Sequence, residues 1–214
     1  MKIDDYDYVE PKGVNGRILI TSFPGLDEKG IFQELNFQTQ LNILQKNNCS
    51  SITSFVEDKE FDKLCNKKQF IENIYKHNIK WYHLPISDLS APDSEFKYQW
   101  QTKKVLLKKE LIIGKNILLH CWGGKGRAGT VAAILLIEFG ENKNEAINIV
   151  RAKRKGAIES KAQLPDNKTL FCSVTNSHQH RQPYDQSTRA VNHPSKWHDS
   201  SQPACKKCHD RGPR

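Results

Sequence analysis

Ten residues, His120-Cys121-Trp122-Gly123-Gly124-Lys125-Gly126-Arg127-Ala128-Gly129, constrain this chain more than any other stretch. An apolar run, Asn116-Ile117-Leu118-Leu119, leads in, and a second from Thr130 to Phe139 leads out. The pattern predicts a strand, a tight glycine loop and the start of a helix. Successive backbone N–H groups of such a loop point inward and form an anion nest. The helix N-terminus adds partial positive charge. Glycines bring the backbone close to a ligand because they carry no Cβ. Arg127 can grip two oxygens of one phosphate with its planar fork. The same positive field favours thiolate over thiol, so Cys121 is read as an ionised nucleophile. A nucleotide-binding reading fits poorly, since the loop lacks both the Gly-Lys-Ser/Thr ending of a P-loop and the Rossmann spacing.

The rest of the first 171 residues alternates strand and helix signals. Arg17–Thr21, Ser51–Val56, Ile79–Ile86 and Lys115–His120 read as strands. Leu35–Leu44, Phe61–Tyr75, Asp93–Leu111 and Arg127–Phe139 read as helices, with Asp93 as an N-cap. Asn142 and Glu145 resemble a capping box for one more helix, through Arg151. This order predicts an α/β fold: a central, mostly parallel sheet flanked by helices, with the phosphate-binding loop between a central strand and a helix. Ligands of such sheets bind at the carboxyl ends of the strands. Glu57 and Asp58 follow one strand end, and Ser87 and Asp88 follow another, so a second strand end brings a carboxylate toward the Cys121 loop.

Residues 1–171 are therefore expected to form one catalytic domain. Residues 172–214 are rich in Ser, Gln, Asn, Pro and His without helical or strand period, and read as a flexible basic tail. Within it, Cys205, Cys208 and His209, with His193 and His198 nearby, admit a zinc site, although the spacing is irregular. The net charge of +9 is shared between the tail and the rest and suits acidic partners: phosphorylated proteins, lipid headgroups or RNA. Six scattered cysteines point to a reducing, cytoplasmic setting. No apolar run is long enough for a membrane span, and Met1–Asp7 does not read as a signal peptide. The chain is expected to be a monomer.

His120-Cys121-x5-Arg127 resembles the signature of the cysteine-dependent protein tyrosine and dual-specificity phosphatases. Leu84–Pro92 and the stretch from Arg151 to Glu159 followed by Gln163 carry the likeness further. Together they look most like the kinase-associated phosphatase branch and its bacterial-type relatives, over roughly residues 15–170. The resemblance implies a dual-specificity phosphatase-like fold, a phosphoprotein substrate and a two-step reaction. Cys121 would attack phosphorus, and Asp88, matched to the family's Asp-x-x-x-Pro acid loop, would protonate the leaving oxygen. Water would then hydrolyse the cysteinyl-phosphate, with Asp88 as base and Gln163 orienting the water. His120 would orient the loop and stabilise the thiolate, and Trp122, Gly123, Gly124, Lys125 and Gly126 would line the phosphate. The resemblance implies no metal and no cofactor. Asp93 is the rival acid, but an N-cap role would occupy its oxygens.

The chain departs from the family at Ala128, where Ser or Thr usually follows the arginine. That hydroxyl helps the sulfur leave, so its absence implies a slower second step unless Thr130 substitutes. Lys125 resembles one of two loop lysines of the 3-phosphoinositide phosphatases, whose loop reads H-C-K-A-G-K-G-R, but Trp122 stands in place of the other. Phosphotyrosine, with phosphoserine and phosphothreonine, is thus the leading substrate class. A phosphoinositide or RNA 5′-phosphatase, and a phosphoprotein-binding module with little turnover, are the alternatives.

Overall fold

A computed structural model describes residues 6–165. The proposed tail, its cysteines and its histidines lie outside these residues. Five strands, β1 (Asp7–Val9), β2 (Ile18–Thr21), β3 (Cys49–Ser54), β4 (Lys80–His83) and β5 (Asn116–His120), form one sheet in the order β1-β2-β5-β3-β4. β1 runs antiparallel to β2, and every other pairing is parallel. The register aligns Thr21, His120, Ser54 and His83 across the carboxyl edge. The cysteine loop thus leaves the sheet from its middle strand.

Helices α1 (Glu34–Lys46), α2 (Asp58–Leu64) and α3 (Lys67–Lys76) cover one face, and α4 (Ser94–Ile112), α5 (Gly126–Glu138) and α6 (Lys143–Lys153) the other. The alternation of a strand explains the two cores. Leu118 of β5 packs with Phe37, Phe61 and Phe70, whereas Ile117 and Leu119 pack with Trp100, Val131 and Leu135. Every residue of α5 from Gly126 to Leu136 is buried. A helix apolar all round must be enclosed, and α5 lies between the sheet and α6.

Several elements depart from the sequence reading, which has no strand at β1. The single helix expected over Phe61–Tyr75 is two. Cys65 is fully extended (φ −163°, ψ 172°), and Asn66 restarts the helix by accepting a hydrogen bond from the Gln69 amide. Leu35, which opens the helix expected over Leu35–Leu44, is 79% exposed; Phe37, Leu41 and Leu44 make the buried face. Asp93 caps α4 as expected, its carboxylate accepting from Phe96 N at 2.8 Å. Asn142 caps α6 through Glu145 N at 2.8 Å. β4 ends at His83, but the chain stays bonded to β3's exit, with Leu84 N on Ser54 O and Ile86 N on Phe55 O, both 3.0 Å. Those two bonds lay Asp88 beside the loop that follows β5.

Candidate active site

The loop after β5 folds back on its own sulfur: Gly124 N donates to Cys121 Sγ at 3.2 Å. Gly124 has φ +68°, and a Cβ there would sit 2.2 Å from the Thr21 carbonyl carbon. Only glycine fits where the loop presses on the end of β2. The loop carbonyls are tied to the outside. Trp122 O accepts from Phe23 N at 2.9 Å, Gly123 O from Arg154 Nη2 at 3.0 Å, and Gly124 O from Arg154 Nε at 2.5 Å. Asp7 of β1 holds the same guanidinium, accepting from Nη1 at 2.5 Å. Lys125 O accepts from Ile158 N at 3.2 Å. With these carbonyls committed outward, the loop N–H groups are left for the cup around the sulfur.

Arg127 enters the cup from the first turn of α5 and is only 2% exposed. Its Nη1 and Nη2 donate to the two carboxylate oxygens of Glu60 at 2.6 and 2.9 Å. Nη1 also donates to Ile86 O at 3.2 Å, and Nη2 lies 3.4 Å from Asp88 Oδ1. Burial works against both charges of the Arg127–Glu60 pair. The charged hydrogen bonds outweigh it, holding the Glu60 carboxyl below its usual range and the Arg127 guanidinium above its own, to which Cys121 and Asp88 also contribute. Glu60 is also the third residue of α2 and accepts from Glu57 N at 2.7 Å, closing a capping box.

His120 is fully buried, its ring edge-on to Phe23 at 5.2 Å. Burial pushes its pKa down to about 3, so the ring is neutral. Trp81 Nε1 donates to Ser54 Oγ at 2.8 Å, and Ser54 Oγ lies 2.6 Å from His120 Nε2. Indole nitrogen only donates and the Cys121 carbonyl only accepts, so the arrangement that satisfies both contacts of the ring puts the serine hydrogen on Nε2. The imidazole hydrogen is thereby assigned to Nδ1, 3.4 Å from Cys121 O. His120 therefore holds the loop backbone through the Cys121 carbonyl, next to the sulfur.

Asp88 stands at the mouth with its side chain 66% exposed. Gln163 lies in a 3₁₀ turn, Lys161–Gln163, and is buried. Its Oε1 accepts from Ser160 N at 3.2 Å, while Nε2 has no hydrogen-bond partner among the described residues. The amide lies over the loop: a Cβ on Gly126 would meet Nε2 at 2.6 Å. Thr130 cannot stand in for the hydroxyl missing at Ala128. Its Oγ1 is buried against Gly126 O at 2.8 Å and Gln163 O at 3.0 Å, which take its hydrogen. Lys125 and Trp122 are on the exposed rim, and the Lys125 side chain runs along Gly156. No group of metal-ligating residues occurs among the described residues.

The structure thus gathers Cys121, Arg127, Asp88, His120 and Gln163 around one loop. It adds Glu60 and Arg154, which the sequence reading missed. For Glu60 a signal existed: Glu57 and Glu60 have capping-box spacing directly after a strand that ends at the site. Arg154 lies outside any element signal and reaches the loop across 30 residues of sequence.

A cysteine and an arginine at the two ends of a glycine loop, at the carboxyl edge of a parallel sheet and the start of a buried helix, define a cysteine-dependent phosphatase. Comparison with known proteins agrees. The chain belongs to the protein tyrosine and dual-specificity phosphatase superfamily, in the family described as Swiss Army Knife protein, DSP-PTPase phosphatase domain, which matches residues 50–180. Protein tyrosine phosphatase type IVA 3 of Bos taurus is 31% identical over 120 residues, covering 52% of this chain and 68% of the relative. Probable protein tyrosine phosphatase type IVA A of Dictyostelium discoideum is 28% identical over 127 residues, 59% of this chain and 70% of its own. Among solved structures, Tk-PTP in its active form matches with a TM-score of 0.57 at 27% identity, over 77% of this chain and 95% of that one. Kinase associated phosphatase, with serine at its catalytic cysteine, matches in fold with a TM-score of 0.63 at 24% identity, over 74% and 89%.

Proposed function

We propose that this phosphatase hydrolyses phosphotyrosine, together with phosphoserine and phosphothreonine, in protein substrates through a cysteinyl-phosphate. One observation carries the reading: the Cys121 sulfur accepts a loop amide while Arg127 and Asp88 meet at 3.4 Å over the same cup. Nucleophile, charge clamp and proton donor then share one phosphate. Cys121 Sγ forms a bond to phosphorus as the P–O bond to the substrate breaks, and Asp88 gives its proton to the departing oxygen. Arg127 and the loop amides bear the charge of the transferring phosphoryl group. Asp88, now a carboxylate, takes a proton from water as the water oxygen attacks phosphorus and the sulfur leaves. Gln163, whose Nε2 has no hydrogen-bond partner among the described residues, would orient that water. A positioned acid of this kind contributes about 10²–10⁴-fold. The names of the relatives, protein tyrosine phosphatases, support phosphotyrosine as the first substrate to test.

Turnover of para-nitrophenyl phosphate by wild type, Cys121→Ser and Asp88→Ala tests the chemistry. Cys121→Ser should be inactive, and activity surviving in it would rule out the covalent route. Competition of a phosphotyrosyl peptide against soluble inositol phosphates tests the substrate class. Preferential turnover of the inositol phosphates would transfer the assignment to lipid headgroups.

A further inference from the structure

The segment Ser87–Pro92, which carries Asp88, is held in an unfavourable conformation by a residue from another part of the chain. Leu89 sits at φ +54°, in the left-handed region that side chains with a Cβ disfavour. Its own side chain is 55% exposed, so packing of that side chain does not enforce the geometry. Strained backbone of this kind persists only where its surroundings over-determine it. Within the segment, Ser90 N donates to Ser87 O at 3.1 Å and Ser90 Oγ to Asp88 O at 3.2 Å. Ser87 Oγ reaches Glu57 at 3.2 Å. The Leu89 carbonyl, however, accepts from Ser160 Oγ at 2.8 Å, the shortest of these bonds.

Ser160 is also the N-cap of the turn that carries Gln163. Its Oγ accepts from Gln163 N at 3.2 Å, and its amide donates to Gln163 Oε1 at 3.2 Å. One hydroxyl therefore gives its hydrogen to the acid segment and its lone pair to the turn holding the buried amide. We infer that Ser160 is a positioning residue for the reaction: through Leu89 it fixes Asp88 over the cup, and it references that carboxyl to the same turn that places Gln163. The two bonds are not equally replaceable. Gln163 N also reaches Ser160 O at 3.2 Å, and Gln163 Oε1 keeps the Ser160 amide, so both survive loss of the hydroxyl. The Leu89 tether does not. The loss should therefore fall on proton delivery.

This inference rests on Asp88 being the proton donor, and leaving-group dependence tests both at once. Phenolate is a poor leaving group that needs the proton, and 4-nitrophenolate leaves with less help. The measurement is the ratio of kcat/KM on phenyl phosphate to kcat/KM on 4-nitrophenyl phosphate, which reports the step that expels the leaving group and in which any loss of folded enzyme cancels. In Asp88→Ala the ratio should fall by about 10²-fold. In Ser160→Ala it should fall by about tenfold, the worth of one well-made hydrogen bond, and Ser160→Thr, which keeps the hydroxyl, should restore it. A ratio unchanged in Ser160→Ala, beside a fall in Asp88→Ala, would overturn the role of Ser160 and leave the acid assignment intact. A ratio unchanged in both would overturn both.

Discussion

Replacing Glu60 by glutamine should expose how much of this fold rests on one buried ion pair. Arg127 and Glu60 are both buried and joined by two hydrogen bonds of 2.6 and 2.9 Å. Glutamine keeps the shape and one acceptor oxygen, but it removes the charge and turns an NH₂ group toward a guanidinium that can only donate. Removing one partner of a buried pair costs about 3–5 kcal/mol, because the other charge stays buried. One retained contact favours the lower end, about 3 kcal/mol. For a domain of this size that corresponds to a fall in Tm of about 6–12 °C. In urea, with a slope of about 2 kcal/mol/M, it moves the midpoint by about 1.5 M. The gap between wild type and variant should depend on acid. The folded Glu60 carboxyl lies below its ordinary value of 4.5, so its stabilisation is complete above that value and is lost as pH falls through the folded one. Urea titrations at neutral pH and at about pH 3 check both parts. A gap under about 1 kcal/mol at neutral pH, as for an exposed pair, or a gap that persists unchanged in acid, would refute the reasoning.

Gly124→Ala should cost about 2–4 kcal/mol and abolish turnover, since its Cβ would strike the Thr21 backbone from a left-handed φ. Gly123→Ala has open space and an ordinary φ, and should stay within about 1 kcal/mol of wild type in a thermal melt. The His120 ring should remain neutral in an NMR titration down to about pH 4, and a midpoint near 6.5 would contradict its burial. Because its folded pKa is depressed, its neutral-state stabilisation is present above about 6.5 and is lost toward about pH 3, at ~1.4 kcal/mol per pH unit. Arg154→Leu frees the Gly123 and Gly124 carbonyls, and the inhibition constant of inorganic phosphate should rise by about tenfold with the fold intact by circular dichroism.

The phosphate cup was legible in the sequence because its parts are contiguous. A strand, three glycines, a cysteine and an arginine fall within one window, and backbone geometry there depends on local residues. Asp88 was legible through Pro92 and the apolar run before it. Glu60 was legible only as a cap partner of Glu57, because the guanidinium it pairs with is 67 residues away. β1 was missed for a different reason. Three residues give no alternation to read, and Asp7 acquires its role only when it meets Arg154 at a separation of 147 residues. The break at Cys65–Asn66 was hidden by apolar residues that kept helical spacing across it. The Thr130 hydroxyl stood at the right distance in sequence, but it turns back to the Gly126 carbonyl one helical turn earlier and to the Gln163 carbonyl brought in by tertiary packing.

The enclosure of α5 sets what this enzyme can change and what it cannot. A rod packed on every side cannot slide or tilt without opening both cores, so the anion cup seated on its first turn is a fixed die. Accommodation of differently shaped phosphomonoesters must then come from the rim around it, the chain near Leu89 and the chain from Arg154 to Ser160. Selectivity in this scaffold should accordingly be retunable by exchanging those two rim segments while the helix is left untouched.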